Sequence, residues 1–239
     1  MVSTVIKNWD KKNWLSSRSY ILKFNNFLNI NCKLNRNSQI LDIGCGRGKI
    51  IGSLKSKLNL NNKPLGIDLV NHKDKDKRIK FEKIDALSFF SKNKKKFDLI
   101  LIKQTIHLLK LNQIKKLLNL MTKSLNPRGK IFILTLDPYK NEIPCFNLMK
   151  IKLLNSLKRD QKILKYISKL YPQRVIKKFS YEVRITKRKY INMILIRFIS
   201  TLLAFTNKQI VAGVNQINLK YKKNFKFKDK LVCIIIKNN

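Results

Sequence analysis

The chain has few of the residues that staple, punctuate or anchor a protein. Its 239 residues include 4 cysteines, 5 prolines and 7 glycines. Cys32, Cys45, Cys145 and Cys233 are scattered without paired spacing. That argues against a disulfide scaffold and against a zinc site, and suits a reducing compartment. The longest apolar stretch, 190–205, carries Arg197 in its middle and falls short of the roughly 20 residues that a bilayer-spanning helix needs. The N-terminus shows no small-residue cleavage site after a basic and apolar run, so no signal peptide is expected. These shortages set aside secreted and membrane-spanning readings, and the expectation is a cytoplasmic protein. No Pro- or Gly-rich linker, internal repeat or low-complexity segment divides the chain, and its length suits one large domain.

Acidic residues are scarce too: 13 Asp and Glu stand against 53 Lys and Arg, for a net charge of +40. Such a balance usually points to nucleic acid. Here only ten of the basic residues are arginine, alanine occurs only at 86, 204 and 212, and asparagine and isoleucine abound. Residues with A/T-rich codons are favoured throughout, so genome bias explains the lysines as well as a polyanion does. They are also spread over every segment, whereas a nucleic-acid footprint clusters.

Apolar periodicity predicts the elements. Residues 1–37, with Trp9 and Trp14 and then Tyr20, Ile21, Phe24, Phe27 and Leu28 at helical spacing, read as a helical cap. Strands are predicted at 38–43, 64–68, 78–84, 97–102 and 130–136, with helices at 49–58, 86–92 and 111–125 between them. Strands alternating with helices mean parallel strands joined by crossovers, so 38–136 reads as a doubly wound sheet. Beyond it come a helical stretch at 143–170, interrupted or frayed near Arg159 and Asp160, and a strand at 174–185. Helices at 187–205 and 207–221 and a last strand at 231–237 complete the reading. The expected whole is one α/β domain, 1–239, with a mostly parallel seven-stranded sheet, an N-terminal helical cap and a helical insert before the last strand.

Four of the seven glycines, Gly44, Gly46, Gly48 and Gly52, fall within nine residues. Glycine is needed where the backbone takes φ > 0 or approaches a ligand closely. The segment Ile40-Leu41-Asp42-Ile43-Gly44-Cys45-Gly46-Arg47-Gly48-Lys49 therefore reads as a strand, a tight turn and a helix start. A dinucleotide fingerprint places its third glycine three positions after the second; here Lys49 holds that place. Asp42, two residues before the first glycine, suits a cofactor bearing a sulfonium and an ammonium group better than a pyrophosphate.

At these residues the chain resembles the class I S-adenosylmethionine-dependent methyltransferases, departing only at Arg47. The resemblance implies a Rossmann-like methyltransferase fold and a cofactor site at Asp42, Gly44, Cys45, Gly46 and Gly48. Asp68, ending Gly66-Ile67-Asp68, matches the family acid that takes the ribose hydroxyls, as a carboxylate with two acceptor oxygens can. Asp85 and Ala86 match the segment at the adenine edge, with Leu69 and Leu87 on the ring faces. Lys103 opens the segment Lys103-Gln104-Thr105-Ile106-His107-Leu108, which is similar to the family's loop after the fourth strand, and is counted with the cofactor site. Asp68 and Asp85 also suit helix capping. In Ser124-Leu125-Asn126-Pro127-Arg128-Gly129-Lys130, Arg128 stands where the family has the first glycine of a pair.

The acceptor is less defined. His107 is the candidate general base, set against a packing or capping role, and His72 reads as a turn residue. The Asn/Asp-Pro-Pro motif of amino-group enzymes is missing after the fourth strand. Pro144-Cys145 lies beyond the fifth strand, so Cys145 reads as a small apolar residue. Residues 185–200 are loosely similar to the lid of the trans-aconitate methyltransferase group, which implies Trp14, Tyr20, Tyr190, Met193 and Arg197 as acceptor-pocket candidates. Ordinary core packing competes for each of them. Arg197, in an apolar helical run, is expected to pair either an acidic substrate or Asp10 or Glu182. The expectation is methyl transfer to a small molecule that carries a carboxylate; an RNA methyltransferase and a non-catalytic binding protein on this fold are the alternatives.

Overall fold

The computed structural model describes residues 13–238; Trp9 and Asp10 lie outside them. Seven strands form one sheet: β1 (Ile40–Ile43), β2 (Leu65–Asp68), β3 (Lys80–Lys83), β4 (Phe97–Lys103), β5 (Leu125–Leu136), β6 (Val175–Ile185) and β7 (Phe225–Lys237). Their order is β3-β2-β1-β4-β5-β7-β6. The pairs from β3 through β5 are parallel, and β7 runs antiparallel to both β5 and β6. The strand order reverses between β1 and β4, so the crevice for a ligand opens at the C-terminal ends of those two strands.

Helices α1 (Arg18–Cys32), α2 (Lys49–Leu58), α3 (Ala86–Lys92), α4 (Leu111–Lys123), α5 (Asn147–Leu170), α6 (Lys187–Leu195) and α7 (Asn207–Lys220) cover the two faces. β1 and β4 are mostly apolar and almost wholly buried because they are covered on both sides. One face packs Leu99, Leu101, Phe132 and Leu134 with Tyr20, Phe24, Met149 and Tyr190. The other packs Ile100, Ile102, Ile131 and Ile133 with Ile114, Leu117, Ile163 and Ile167.

Several predicted bounds are corrected. β3 is only four residues long, because Arg78 donates to Asp76 through its backbone and its guanidinium and is held in the preceding turn. β5 begins at Leu125, with a register shift opposite Phe97 and Leu99. Arg128 takes φ +65°, a conformation that glycine adopts without strain, and a Cβ on Gly129 would lie 2.7 Å from the Phe97 carbonyl. α5 starts at Asn147 and runs unbroken through Arg159 and Asp160, with Asp160 turned inward. The helix predicted over 187–205 ends at Leu195, since Arg197 turns to φ +53° and a separate 3-10 turn forms at Ser200–Leu202. β7 begins at Phe225, six residues earlier than predicted.

Candidate active site

The turn between β1 and α2 is built by backbone conformation. Gly44, Gly46 and Gly48 take φ of +72°, +56° and +70°, values that L side chains adopt only under strain. Ile67 O, near the end of β2, accepts from the amides of Gly44 at 2.8 Å and Cys45 at 3.1 Å, pinning the turn to the sheet. A Cβ on Gly44 would overlap the Thr105 side chain of the loop after β4. The Cys45 thiol fills the space above Gly66, where a Cβ would come within 2.7 Å of sulfur.

Two carboxylates face this turn. Asp68 accepts from Gly46 N through Oδ2 at 2.9 Å and from Val70 N through Oδ1 at 2.9 Å. A carboxylate has about four acceptor positions, so each oxygen keeps capacity for one more donor. Asp42 is buried at the end of β1. Burial pushes its carboxyl up to about 7, with Asp68 adding to the rise and the Lys103 ammonium opposing it.

Lys103 ends β4 and is buried, its ammonium 5.3 Å from the centroid of the Tyr20 ring and 5.6 Å from that of Phe24. The same ammonium lowers the carboxyl of Asp229 on β7, which burial raises. Asp229 is 1% exposed. Its Oδ2 accepts from the Trp14 indole at 3.1 Å. The Tyr20 hydroxyl lies beside Asp229 and is itself pushed well up by burial and by that carboxylate, yet neither it nor Oδ1 completes a well-formed hydrogen bond. Lys103 thus sets a buried ammonium near two buried carboxyl groups, Asp42 and Asp229, on the α1 face of the sheet. Asp229 escaped the sequence reading. Its signal was present, because Phe225, Phe227 and Leu231 alternate inward along β7 and position 229 shares their face.

The other singled-out residues fall into clear places. Asp85 caps α3, accepting from Ser88 N at 2.9 Å, and that hydrogen bond holds its carboxyl below the usual range. Ala86 is the first residue of that helix, and Leu69 stands exposed just beyond Asp68. His107 lies in a 3-10 turn at Ile106–Leu108, ahead of α4 rather than at its start. Burial and nearby Arg159 push its imidazole down to about 4, which makes it neutral but a weak proton acceptor at pH 7. His72 is buried rather than solvated.

Trp14, Tyr20, Tyr190 and Met193 are all buried in the core of the α1 face. Trp14 packs edge-on against Phe198 and Phe227, and the Tyr190 hydroxyl donates to the Pro144 carbonyl. Arg197 donates to the Phe205 carbonyl at 2.8 Å and to Asn207 Oδ1 at 3.1 Å, tying the end of α6 to the start of α7. It stands past the helix rather than inside an apolar helical face, and Glu182 pairs instead with Arg184 and Lys226. The expectation of an acidic acceptor therefore loses its motive.

The methyltransferase domain family matches residues 34–192, well over half of the chain. The chain belongs to that family. Solved structures agree on the fold. The plantazolicin methyltransferase BpumL, in complex with a pentazolic desmethylPZN analogue and SAH, is 19% identical with a TM-score of 0.54, over 97% of this chain and 89% of that one. A SAM-dependent methyltransferase from Archaeoglobus fulgidus is 18% identical with a TM-score of 0.52, over 91% and 94%. YjhP from E. coli reaches a TM-score of 0.56 at 13% identity, over 97% and 98%. No curated protein matches this chain. The architecture is that of the class I S-adenosylmethionine-dependent methyltransferases. Among the described residues of this methyltransferase, no helix is long and apolar enough to cross a membrane.

Proposed function

We propose that this methyltransferase binds S-adenosylmethionine at the β1–α2 turn and transfers its methyl group to a small-molecule acceptor. The observation that carries the reading is the Asp68 carboxylate bonded to the Gly46 amide across a turn of three left-handed glycines. That arrangement fixes an acid beside bare backbone, which is the chemistry a ribose diol needs. Asp42, buried with its carboxyl raised to about 7 even beside Lys103, gains from a further positive charge, and the cofactor's ammonium supplies it. Lys103 is the group we assign to the cofactor's carboxylate. Leu69 and Leu87 offer apolar faces to an adenine ring, and Asp85 with the Ala86 amide its polar edge.

When bound, the cofactor supplies a methyl group made electrophilic by a sulfonium. The chain's own work is to align that methyl with the acceptor and to exclude water. Tyr20 and Phe24 of α1 lie over Lys103, and this aromatic cover beside the cofactor site supports a small acceptor. BpumL is solved in complex with desmethylPZN analogues, which supports an acceptor other than nucleic acid. The four cysteines are free, which suits the cytoplasm, where we place the protein.

Calorimetry with S-adenosylhomocysteine tests the cofactor site. Gly46→Val puts a β-branched side chain at φ +56°, and the folded variant is expected to lose measurable binding. Undiminished binding overturns the assignment. Labelled S-adenosylmethionine added to cell extract then identifies the acceptor; label in RNA, with transfer that falls steeply as salt rises, replaces the small-molecule reading.

A further inference from the structure

Helix α5 carries an outward face that includes none of the residues assigned to the cofactor site. Its inner side, including Met149, Leu153, Leu157 and Ile163, is buried against the sheet. On the outer side Leu148, Ile151 and Leu154 recur every third residue, and all three are exposed, Ile151 by 59%. Residues three apart neighbour one another on a helix surface. Tyr139 extends the patch: it is 65% exposed, and its hydroxyl accepts from Gln161, two turns beyond Leu154 on the same flank. The exposed charges of this helix have one sign. Lys150, Lys152, Lys158, Arg159, Lys162, Lys165 and Lys169 face solvent, and the sole acid, Asp160, is buried.

An exposed apolar cluster with a polar rim marks an interaction surface, and charge selects what covers this one. A second copy of the chain would set the same basic helix and a net charge of +40 against it, which like-charge repulsion opposes. A nucleic-acid backbone pairs the lysines but gives three aliphatic side chains nothing apolar to bury against. A bilayer surface with anionic headgroups satisfies both: the apolar side chains enter the boundary of the acyl region, and the lysines reach the headgroups. We propose that the outer face of α5 docks on an anionic membrane surface through Leu148, Ile151 and Leu154. β5 is parallel to β1, and α5 returns from the C-terminal end of β5. The apolar half of α5 therefore lies at the sheet edge that holds the glycine turn. This docking is independent of the methyl-transfer reading.

The test is sedimentation of the full chain with vesicles of phosphatidylcholine alone and with vesicles of equal phosphatidylcholine and phosphatidylglycerol. Binding is expected to the mixed vesicles only. Ile151→Gln with Leu154→Gln leaves the charge unchanged and is expected to weaken binding roughly tenfold or more, since each buried side chain is removed from the contact. Ile30→Gln, exposed by 76% near the end of α1, serves as the control and is expected to stay within about twofold, since Lys130 donates to Asn31 O beside it and so places it at the opposite edge of the sheet. Thermal unfolding confirms that both variants are folded. Failure to sediment with the mixed vesicles overturns the proposal. So does an equal loss in the control, or a dimer in solution that the α5 variant disperses while vesicle binding persists.

Discussion

The β1–α2 turn and the aromatic cover over the α1 face meet at the same edge of the sheet but are built on different principles. At the turn, the backbone bends through Gly44, Gly46 and Gly48, and a carboxylate holds one of its amides. In the cover, side chains pack mostly edge to face, and several of their polar atoms close on other atoms of the chain. Trp14 donates to Asp229, Tyr190 to Pro144 and Arg197 to Phe205. A side chain lost from the first region should cost ligand affinity, and one lost from the second should cost the fold.

Tyr190 gives the sharpest contrast. It is fully buried, touches Phe198, Phe225 and Phe227, and donates to a buried carbonyl. Tyr190→Ala is expected to lower stability by about 3–5 kcal/mol, as for large aromatic truncations in a core, with cofactor affinity in the folded fraction unchanged. Chemical denaturation measures it. A variant of undiminished stability that raises the acceptor's KM would make Tyr190 a pocket residue and erase the distinction.

Asp68→Ala tests the other side. Removing a charged acceptor should cost about 1.5–3 kcal/mol of S-adenosylhomocysteine affinity by calorimetry. The unliganded protein should lose less than that, since the amides of Gly46 and Val70 lie next to the ligand crevice and water replaces the carboxylate there. A collapse of stability with intact affinity would mean that Asp68 only braces the turn.

The turn was legible in the sequence because glycine spacing is a statement about local backbone, and positive φ is demanded residue by residue. The same locality made β1, β2, β4 and the α2 start readable from short apolar runs. What lay beyond local reach was misplaced. Arg197 looked like a charge inside a helix because apolar periodicity continues past Leu195, and nothing in that run signals that residue 197 turns to φ +53°. β7 was begun too late because Phe225 to Lys230 alternates apolar with charged residues, a pattern whose inward member, Asp229, has meaning only once α1 lies over it. The aromatic candidates could not be sorted into pocket or core from spacing, since helical periodicity looks alike for both.

Asp42 offers a smaller effect with a defined sign. In the free protein its carboxyl titrates at about 7, raised by burial and opposed by Lys103. Below that pH the group is protonated and neutral, so pairing with the cofactor's ammonium requires release of a proton. Affinity for S-adenosylhomocysteine should therefore fall as pH drops from 8 to 6, by less than the limit of about tenfold per pH unit for one proton. It should level off above pH 7, and Asp42→Asn should remove the slope. Stability of the unliganded protein runs the opposite way. The folded state holds this proton where the unfolded chain has lost it, so Asp42 makes stability decline as pH rises from about 4 to about 7.

Arg197→Met carries the smallest expected effect and bears most directly on the cover. The guanidinium donates to Phe205 O and Asn207 Oδ1, both close in the chain, and the side chain is only half-buried. Loss of two such bonds, the one to Asn207 Oδ1 exposed to solvent, should cost about 1 kcal/mol. A methionine at φ +53° is strained no more than the arginine it replaces. Cofactor affinity and kcat/KM should then both hold within about twofold, which corresponds to less than 0.5 kcal/mol. A selective rise in KM with unchanged unfolding would show instead that Arg197 leaves Phe205 when an acceptor arrives, and that the loop after α6 is part of the acceptor site rather than the clamp joining α6 to α7.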